Sequence, residues 1–121
     1  TAGPTNNQLN VPRSIALDAS TGALYIADYG NHRVMKWVAS VGTVAAGGNG
    51  AGSNSNQLNY PGGVVFDASA TVLYISNAFS NNIKRWVIGS LTGTVIAGDS
   101  SGNSGSTSLL LDNPMGLAMD T

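Results

Sequence analysis

Short apolar runs alternate with polar turns along the whole chain. The runs ALYIAD (Ala23–Asp28) and RVMKWV (Arg33–Val38) have the length and the β-branched and aromatic content that favour strands. Turns rich in Gly, Asn, Ser and Thr separate the runs and favour tight reversals. The pattern predicts an all-β chain, with eight short strands in its two full repeats and a further strand at Gly116–Asp120. The eight are Ser14–Asp18, Ala23–Asp28, Arg33–Val38, Thr43–Ala46, Gly63–Asp67, Val72–Asn77, Asn82–Val87 and Thr94–Ala97.

The same order of strands occurs twice, and a third copy begins near the end of the sequence. Asn7–Val38 aligns with Asn56–Val87, so that Pro12 meets Pro61 at a spacing of 49 residues. The segment DNPMGLAMD (Asp112–Asp120) restarts the pattern. Four short strands in a period of roughly 40–50 residues are typical of a β-propeller blade. The sequence therefore predicts blades at 7–55 and 56–108, after a rim strand of a preceding blade at 1–6 and before the first strand of a third blade at 109–121.

Composition narrows the function classes. The 121 residues are 42% hydrophobic but only 9% charged, all six acids are Asp, and the net charge is −1. This leaves no basic surface with which to neutralise phosphates, so nucleic acid is not expected as a partner. No apolar run approaches the length of a membrane span, so membrane insertion is not expected either. Cysteine is absent, which excludes disulfides and thiolate metal sites in this chain. A polar surface rich in Asn, Ser and Thr and poor in Lys favours an extracellular location, and no cofactor is expected.

The segments LNVPRSIALD, LYIADYGNHRVMKWV and GTVAAGG together resemble NHL repeats, and with their second copies the resemblance covers nearly the whole chain. It implies a partial propeller, about 2–2.5 blades of a six-bladed ring. The second copy departs from the family pattern, because Asn77 stands in place of Asp28 and Asn81-Asn82-Ile83 in place of His32-Arg33-Val34. The apolar pattern is intact, so the implied fold is unaffected. A function that rests on Asp28, His32 or Arg33 would exist in only one of the two blades.

The resemblance also implies a binding face. In such propellers the loops from the fourth to the first strand and from the second to the third strand share one face, where partners usually bind. Tyr29 and Phe79 fall at predicted loop tips and are not equivalent in the repeat, and non-repeating aromatic residues are where specificity is expected. The candidate binding residues are Arg13, Tyr29, Asn31, His32, Tyr60, Phe79 and Asn81.

Asp28, His32 and Arg33 have a catalytic and a structural interpretation. A zinc site built on histidine is excluded in this chain, because it has one histidine and no Cys or Glu. The structural interpretation is that Asp28 and Arg33 pair across two strands or between blades while His32 caps the turn. This interpretation is preferred, so no catalytic residue and no metal ligand is predicted.

Two further sets recur at equal positions in the repeat. Asp18, Asp67 and Asp120 end the first strands and could ring a channel that binds calcium. The preferred interpretation is that each carboxylate accepts N–H groups of the turn that follows it. Trp37 and Trp86 could be stacking platforms, but their equal phase favours packing between blades.

The predicted function is a non-enzymatic propeller segment that acts as an interaction scaffold for a protein or glycan. Its other partners would be further blades of the same parent chain or other copies. One alternative is a structural subunit of an extracellular array or fibre. Another is part of a propeller lyase or lactonase whose metal site lies outside this segment. The sequence supplies three copies of the first and of the fourth strand of a blade, but only two of each middle strand. These unequal numbers favour a segment of a longer propeller over a simple trimer.

Overall fold

The computed structural model describes residues 2–101, except 68 and 70, together with 103 and 105. The described chain forms two four-stranded antiparallel sheets in which the strands lie in sequence order, β1-β2-β3-β4 and β5-β6-β7-β8. A short 3-10 turn joins the second to the third strand of each sheet. The elements are β1 (Pro12–Asp18), β2 (Ala23–Asp28), a first turn (Tyr29–Asn31), β3 (Arg33–Val38), β4 (Val41–Gly47), β5 (Pro61–Phe66), β6 (Val72–Asn77), a second turn (Ala78–Ser80), β7 (Asn82–Val87) and β8 (Thr94–Gly98).

The sequence predicts the middle strands to the residue and the outer strands less closely. β2, β3, β6 and β7 have the predicted bounds. β1 and β5 begin two residues earlier than predicted, at Pro12 and Pro61, which pair with Asp28 and Asn77. A proline is tolerated there because the first residue of a strand need not donate an N–H. The predicted strand Gly116–Asp120 lies outside the described residues.

The two sheets pack through β5, which lies against β1 and β2 of the first sheet. Val64 is buried in this contact, and the Phe66 ring meets Tyr25 edge to face with ring centroids 5.0 Å apart. Trp86 is also in the shared core, whereas Trp37 is only partly buried. The core therefore lies between the blades and joins them. Its buried members are Ala23, Tyr25, Ala27, Val34, Ala46, Leu58, Val64, Leu73, Ile75 and Trp86.

The equivalent residues on β1 have no such cover. Ile15 and Leu17 occupy the repeat positions of Val64 and Phe66, yet they are 64% and 58% exposed. Tyr74, the equivalent of the buried Tyr25, is partly exposed on the second sheet. Within the described part of the chain, one blade interface is complete, and each half of a second interface faces outwards.

The start of the chain corrects the prediction of a rim strand at 1–6. Residues 2–6 form no strand, with bends at 4 and 5 and a turn that begins at 6, and residues 2–10 align with the loop 51–59 at the same spacing of 49. The hydrogen bonds agree, because Gly3 N donates to Leu9 O as Gly52 N donates to Leu58 O, both at 3.2 Å. Residues 2–10 are therefore the loop that leads into the first blade. Residues 2–6 therefore do not supply a third copy of the fourth blade strand, and the predicted number of such strands falls from three to two.

No helix among the described residues is long and apolar enough to cross a membrane.

Candidate functional site

The two 3-10 turns place one face of each blade close to the loop that enters β5. Each turn ends on a residue with a left-handed backbone, His32 at φ 54° and Asn81 at φ 56°. His, Asn and Asp adopt this conformation more readily than other side chains do. The turn is thereby closed sharply, and Tyr29 and Phe79 lie on the same side of the molecule.

A buried ion pair fixes the first turn to the loop that enters the blade. Asp28 is fully buried and accepts hydrogen bonds from Asn10 N at 2.7 Å and Asn31 Nδ2 at 2.9 Å. Its Oδ2 also lies 2.7 Å from Arg33 Nε. Both oxygens of this carboxylate accept hydrogen bonds, so the ion pair is satisfied by the first blade together with its entry loop. The preferred interpretation of Asp28 and Arg33 as a structural pair across two strands is confirmed.

The rest of the Arg33 guanidinium binds the entry loop itself. Its Nη1 donates to Pro4 O, and its Nη2 donates to Thr5 O and Gln8 O, each at 2.9 Å. Asn31 adds a bond from its Nδ2 to Gly3 O at 2.7 Å. These bonds tie the loop 3–8 to the ends of β2 and β3.

The second blade holds its entry loop by other side chains. Asn77 accepts from Asn59 N, and its Nδ2 donates to Asn82 Oδ1 at 3.2 Å. The cation comes from Lys84, whose Nζ donates to Asn54 O at 2.6 Å and Gln57 O at 2.7 Å. Burial lowers the pKa of the Lys84 ammonium, and the two carbonyls compensate the charged form.

Four aromatic rings and one arginine form a continuous strip across the two blades, which we call the aromatic strip. The Arg13 guanidinium lies 4.4 Å from the centre of the Tyr29 ring. Tyr29 and Tyr60 have ring centroids 4.8 Å apart, and Tyr60 and Phe79 4.2 Å apart. His32 meets Tyr60 edge to face at 4.3 Å. The strip therefore joins both turns to the residue that precedes β5.

His32 links the two blades through its ring nitrogen. Its Nδ1 accepts a hydrogen bond from Tyr60 N at 3.1 Å. Burial lowers the pKa of the imidazole, which favours the neutral ring that this bond requires. His32 caps the turn as predicted, and it does so through its backbone, because His32 N donates to Tyr29 O at 3.3 Å.

Arg13 is aimed by a bulge at the start of β1. The ladder skips Arg13, because Pro12 pairs with Asp28 and Ser14 pairs with Ala27. Such a bulge redirects a side chain, here onto the face of Tyr29. Among the described residues, no oxygen accepts a hydrogen bond from the Arg13 guanidinium, and the hydroxyls of Tyr29 and Tyr60 make none either.

The structure brings together five of the seven predicted binding residues, namely Arg13, Tyr29, His32, Tyr60 and Phe79. Asn31 is instead committed to the buried network around Asp28. Asn81 closes the second turn from the position that His32 has in the first. The role of these residues in binding stays a prediction, and only their assembly is observed.

Sequence reasoning missed Lys84. At the spacing of 49, the residues equivalent to Arg33 and Met35 are Asn82 and Lys84, but the two changes were not connected. The signal was available, because residues two apart on a strand lie on the same face. A cation lost at one position and gained two residues later indicates that the same loop is held from the neighbouring position.

The aspartates that end the first strands cap their turns. Asp18 accepts from Ser20 N, Ser20 Oγ and Thr21 Oγ1. Asp67 accepts from Ser69 Oγ, Val72 N and Thr71 N, and these bonds, that from Ser69 foremost, lower its pKa to about 2. The turn interpretation is confirmed for both, while Asp120 lies outside the described residues. No group of three or more potential metal ligands comes together within the described ranges.

The comparisons with known proteins agree with this architecture. Residues 9–37 match the family model of the NHL repeat, and no curated protein sequence matches the chain. A protein of Thermus thermophilus, assigned as an oxidoreductase (glucose dehydrogenase), has a similar fold. The TM-score is 0.50 and the identity 16%, over 80% of this chain and 32% of that one.

At this identity the likeness shows the fold alone, and the chain spans about a third of that structure's length. The first repeat matches the NHL model over residues 9–37, and the two four-stranded sheets have the fold of blades of a partial β-propeller.

Proposed function

We propose that this chain is a segment of an NHL-repeat propeller that acts without catalysis, as a scaffold whose loop face binds a protein or glycan. The observation that carries the proposal is the aromatic strip. Arg and Tyr are among the residues that dominate binding energy at interfaces. Here they are exposed or partly exposed, and Phe79 keeps 53% of its surface accessible.

The polar residues beneath the strip support a binding role over a reaction. Asp28 and Arg33 are buried and paired with each other, so neither is placed to exchange a proton with a ligand. The only histidine uses Nδ1 to accept a backbone N–H. The loop face presents aromatic rings, tyrosine hydroxyl groups and one guanidinium to a partner. An extracellular location belongs to this proposal, supported by the Asn- and Ser-rich surface.

The test is to screen the full chain against a glycan array and against a random-peptide phage library. Phe79→Ser should abolish or greatly weaken the strongest signals, because it removes the most exposed ring of the strip. Leu91→Ser is the matched control, since Leu91 is 86% exposed but lies outside the strip. Folded protein that binds nothing, or binding that survives Phe79→Ser, would sink the proposal.

A second surface favours further blades as partners. Ile15 and Leu17 occupy positions whose equivalents, Val64 and Phe66, pack on a neighbouring sheet. We propose that another blade, from the parent chain or from another copy, covers this face as β5 covers the first sheet. Repetition of the same contact among copies is also how an extracellular array or fibre would grow. The enzyme alternative gains no support from the fold, because propellers host many activities.

A further inference from the structure

We propose that the partner of the aromatic strip is an extended peptide segment that carries a carboxylate and, about three to four residues away, an apolar side chain. The carboxylate would bind Arg13, and the apolar side chain would pack on Phe79. This inference rests on the proposed function and names the class of its ligand.

The Arg13 end of the strip is complementary to an anion. The guanidinium is exposed, stacks on Tyr29, and has no hydrogen-bond acceptor among the described residues. Stacking on the ring fixes the planar group and leaves its N–H edge open. That edge matches the two oxygens of a carboxylate, which it can bind through two parallel hydrogen bonds.

The ring geometry favours a peptide over a sugar. A sugar stacks on a flat ring whose face is bare, but one face of Tyr29 is taken by Arg13. Tyr60 is surrounded by Tyr29, His32 and Phe79 at centroid distances of 4.2 to 4.8 Å, with the rings inclined by 44° to 80°. The result is a corrugated apolar surface with one open ring at its end. Such a surface accepts a side chain between rings more readily than a sugar plane.

The length of the strip sets the spacing in the ligand. Arg13 and Phe79 are joined by three steps, each between 4.2 and 4.8 Å. An extended chain advances about 3.3–3.6 Å per residue, so a span no longer than these three steps together needs at most about four residues. Between the ends, the hydroxyls of Tyr29 and Tyr60 can donate to peptide carbonyls, because no described acceptor takes their hydrogen bonds.

The experiment selects binders from a random heptapeptide phage library on the full chain and measures the selected peptides by fluorescence anisotropy. The selected sequences should place Asp or Glu about three to four residues from an aromatic or aliphatic residue. Arg13→Gln should weaken the acidic peptide about tenfold or more, as the loss of a charge-assisted bond predicts. The peptide with Asn or Gln in place of its acid should bind wild type and Arg13→Gln equally. Ile96→Ser, at an exposed residue of β8, is the control.

The outcomes separate the two proposals. Peptides that need Phe79 but contain no acid, or whose acid is indifferent to Arg13→Gln, overturn this inference and leave the binding face intact. Glycans that need Phe79, with no peptide selected, also overturn the peptide class alone. Binding of neither class by folded protein overturns both proposals. Circular dichroism melting shows whether each variant is folded, and both Arg13 and Phe79 are exposed enough for substitution to be tolerated.

Discussion

Arg33 and Lys84 hold the same loop in the two blades from positions that are not equivalent. Arg33 donates to the carbonyls of Thr5 and Gln8, and Lys84 donates to those of Asn54 and Gln57. The carbonyls are equivalent at the spacing of 49 residues, whereas Lys84 is the equivalent of Met35.

The side chains that hold the entry loop differ between the two blades as a group, because a change at one position requires changes at the others. Arg33 requires the Asp28 carboxylate, and a buried carboxylate without its arginine would be strongly unfavourable. The second blade has a neutral Asn77 and a neutral Asn82, which hydrogen-bond to each other, while Lys84 reaches the loop from the same face of β7. Each blade therefore keeps one cation for its entry loop, and the acid is present only where the arginine is.

Lys84→Met, which restores the residue type of the first blade, should destabilise the chain by about 1.5–3 kcal/mol. The carbonyls of Asn54 and Gln57 lose a charged donor, and Asn54 O keeps only its bond from Gln57 N at 3.0 Å. Urea unfolding measures the loss, and hydrogen exchange should show faster opening of residues 52–59. The triple variant Asn77→Asp, Asn82→Arg, Lys84→Met grafts the set of the first blade and should recover most of the loss. An unchanged midpoint in Lys84→Met would contradict this assignment.

Asp28→Asn should cost about 3–5 kcal/mol, because it leaves the buried Arg33 without its counter-ion. The residue introduced is the one that the second blade carries at the same position, so shape alone cannot explain a loss. Adding Arg33→Asn and Met35→Lys reproduces the set of the second blade and should restore stability to within about 1 kcal/mol. Thermal melting and urea unfolding check both variants. If the triple variant is no more stable than Asp28→Asn, the two sets do not act as alternatives.

Val64 and Ile15 provide a matched pair for the blade interface. Val64→Ala should lower the free energy of unfolding by about 2 kcal/mol, because Val64 is buried between the sheets. Ile15→Ala at the equivalent position should change it by less than about 0.5 kcal/mol in the separate chain, because Ile15 is 64% exposed. Light scattering should show an apparent mass that rises with concentration, and Ile15→Ser with Leu17→Ser should abolish that rise. Equal costs for the two alanine variants, or a mass indifferent to the serines, would argue against this interface.

The repeat made most of the strands predictable from the sequence, whereas contacts between particular side chains were not predictable. β2 and β3 have the bounds that their apolar content predicts, because both sheet neighbours are within the blade. Residues 1–6 were predicted as a rim strand, although the spacing of 49 aligns residues 2–10 with the loop 51–59. The loop face was predictable in outline. The stacking of Arg13 on Tyr29 was not, because it depends on a bulge that no residue type announces.

His32 should make the stability of the chain depend on pH between about 5 and 7. Burial lowers the pKa of folded His32 below its ordinary value of 6.5, so the unfolded chain takes up a proton first as the pH falls. The stability due to neutral His32 is therefore complete above about pH 6.5 and is lost progressively below it. Protonation also removes the acceptor for Tyr60 N, a bond worth about 1 kcal/mol. Melting temperatures should fall by about 4–8 °C from about pH 7.5 to about pH 5. His32→Asn keeps the residue type found at the equivalent Asn81 and should flatten this dependence, since the chain has no other histidine and its acids are all Asp. A parallel fall in wild type and His32→Asn would show that another group is responsible.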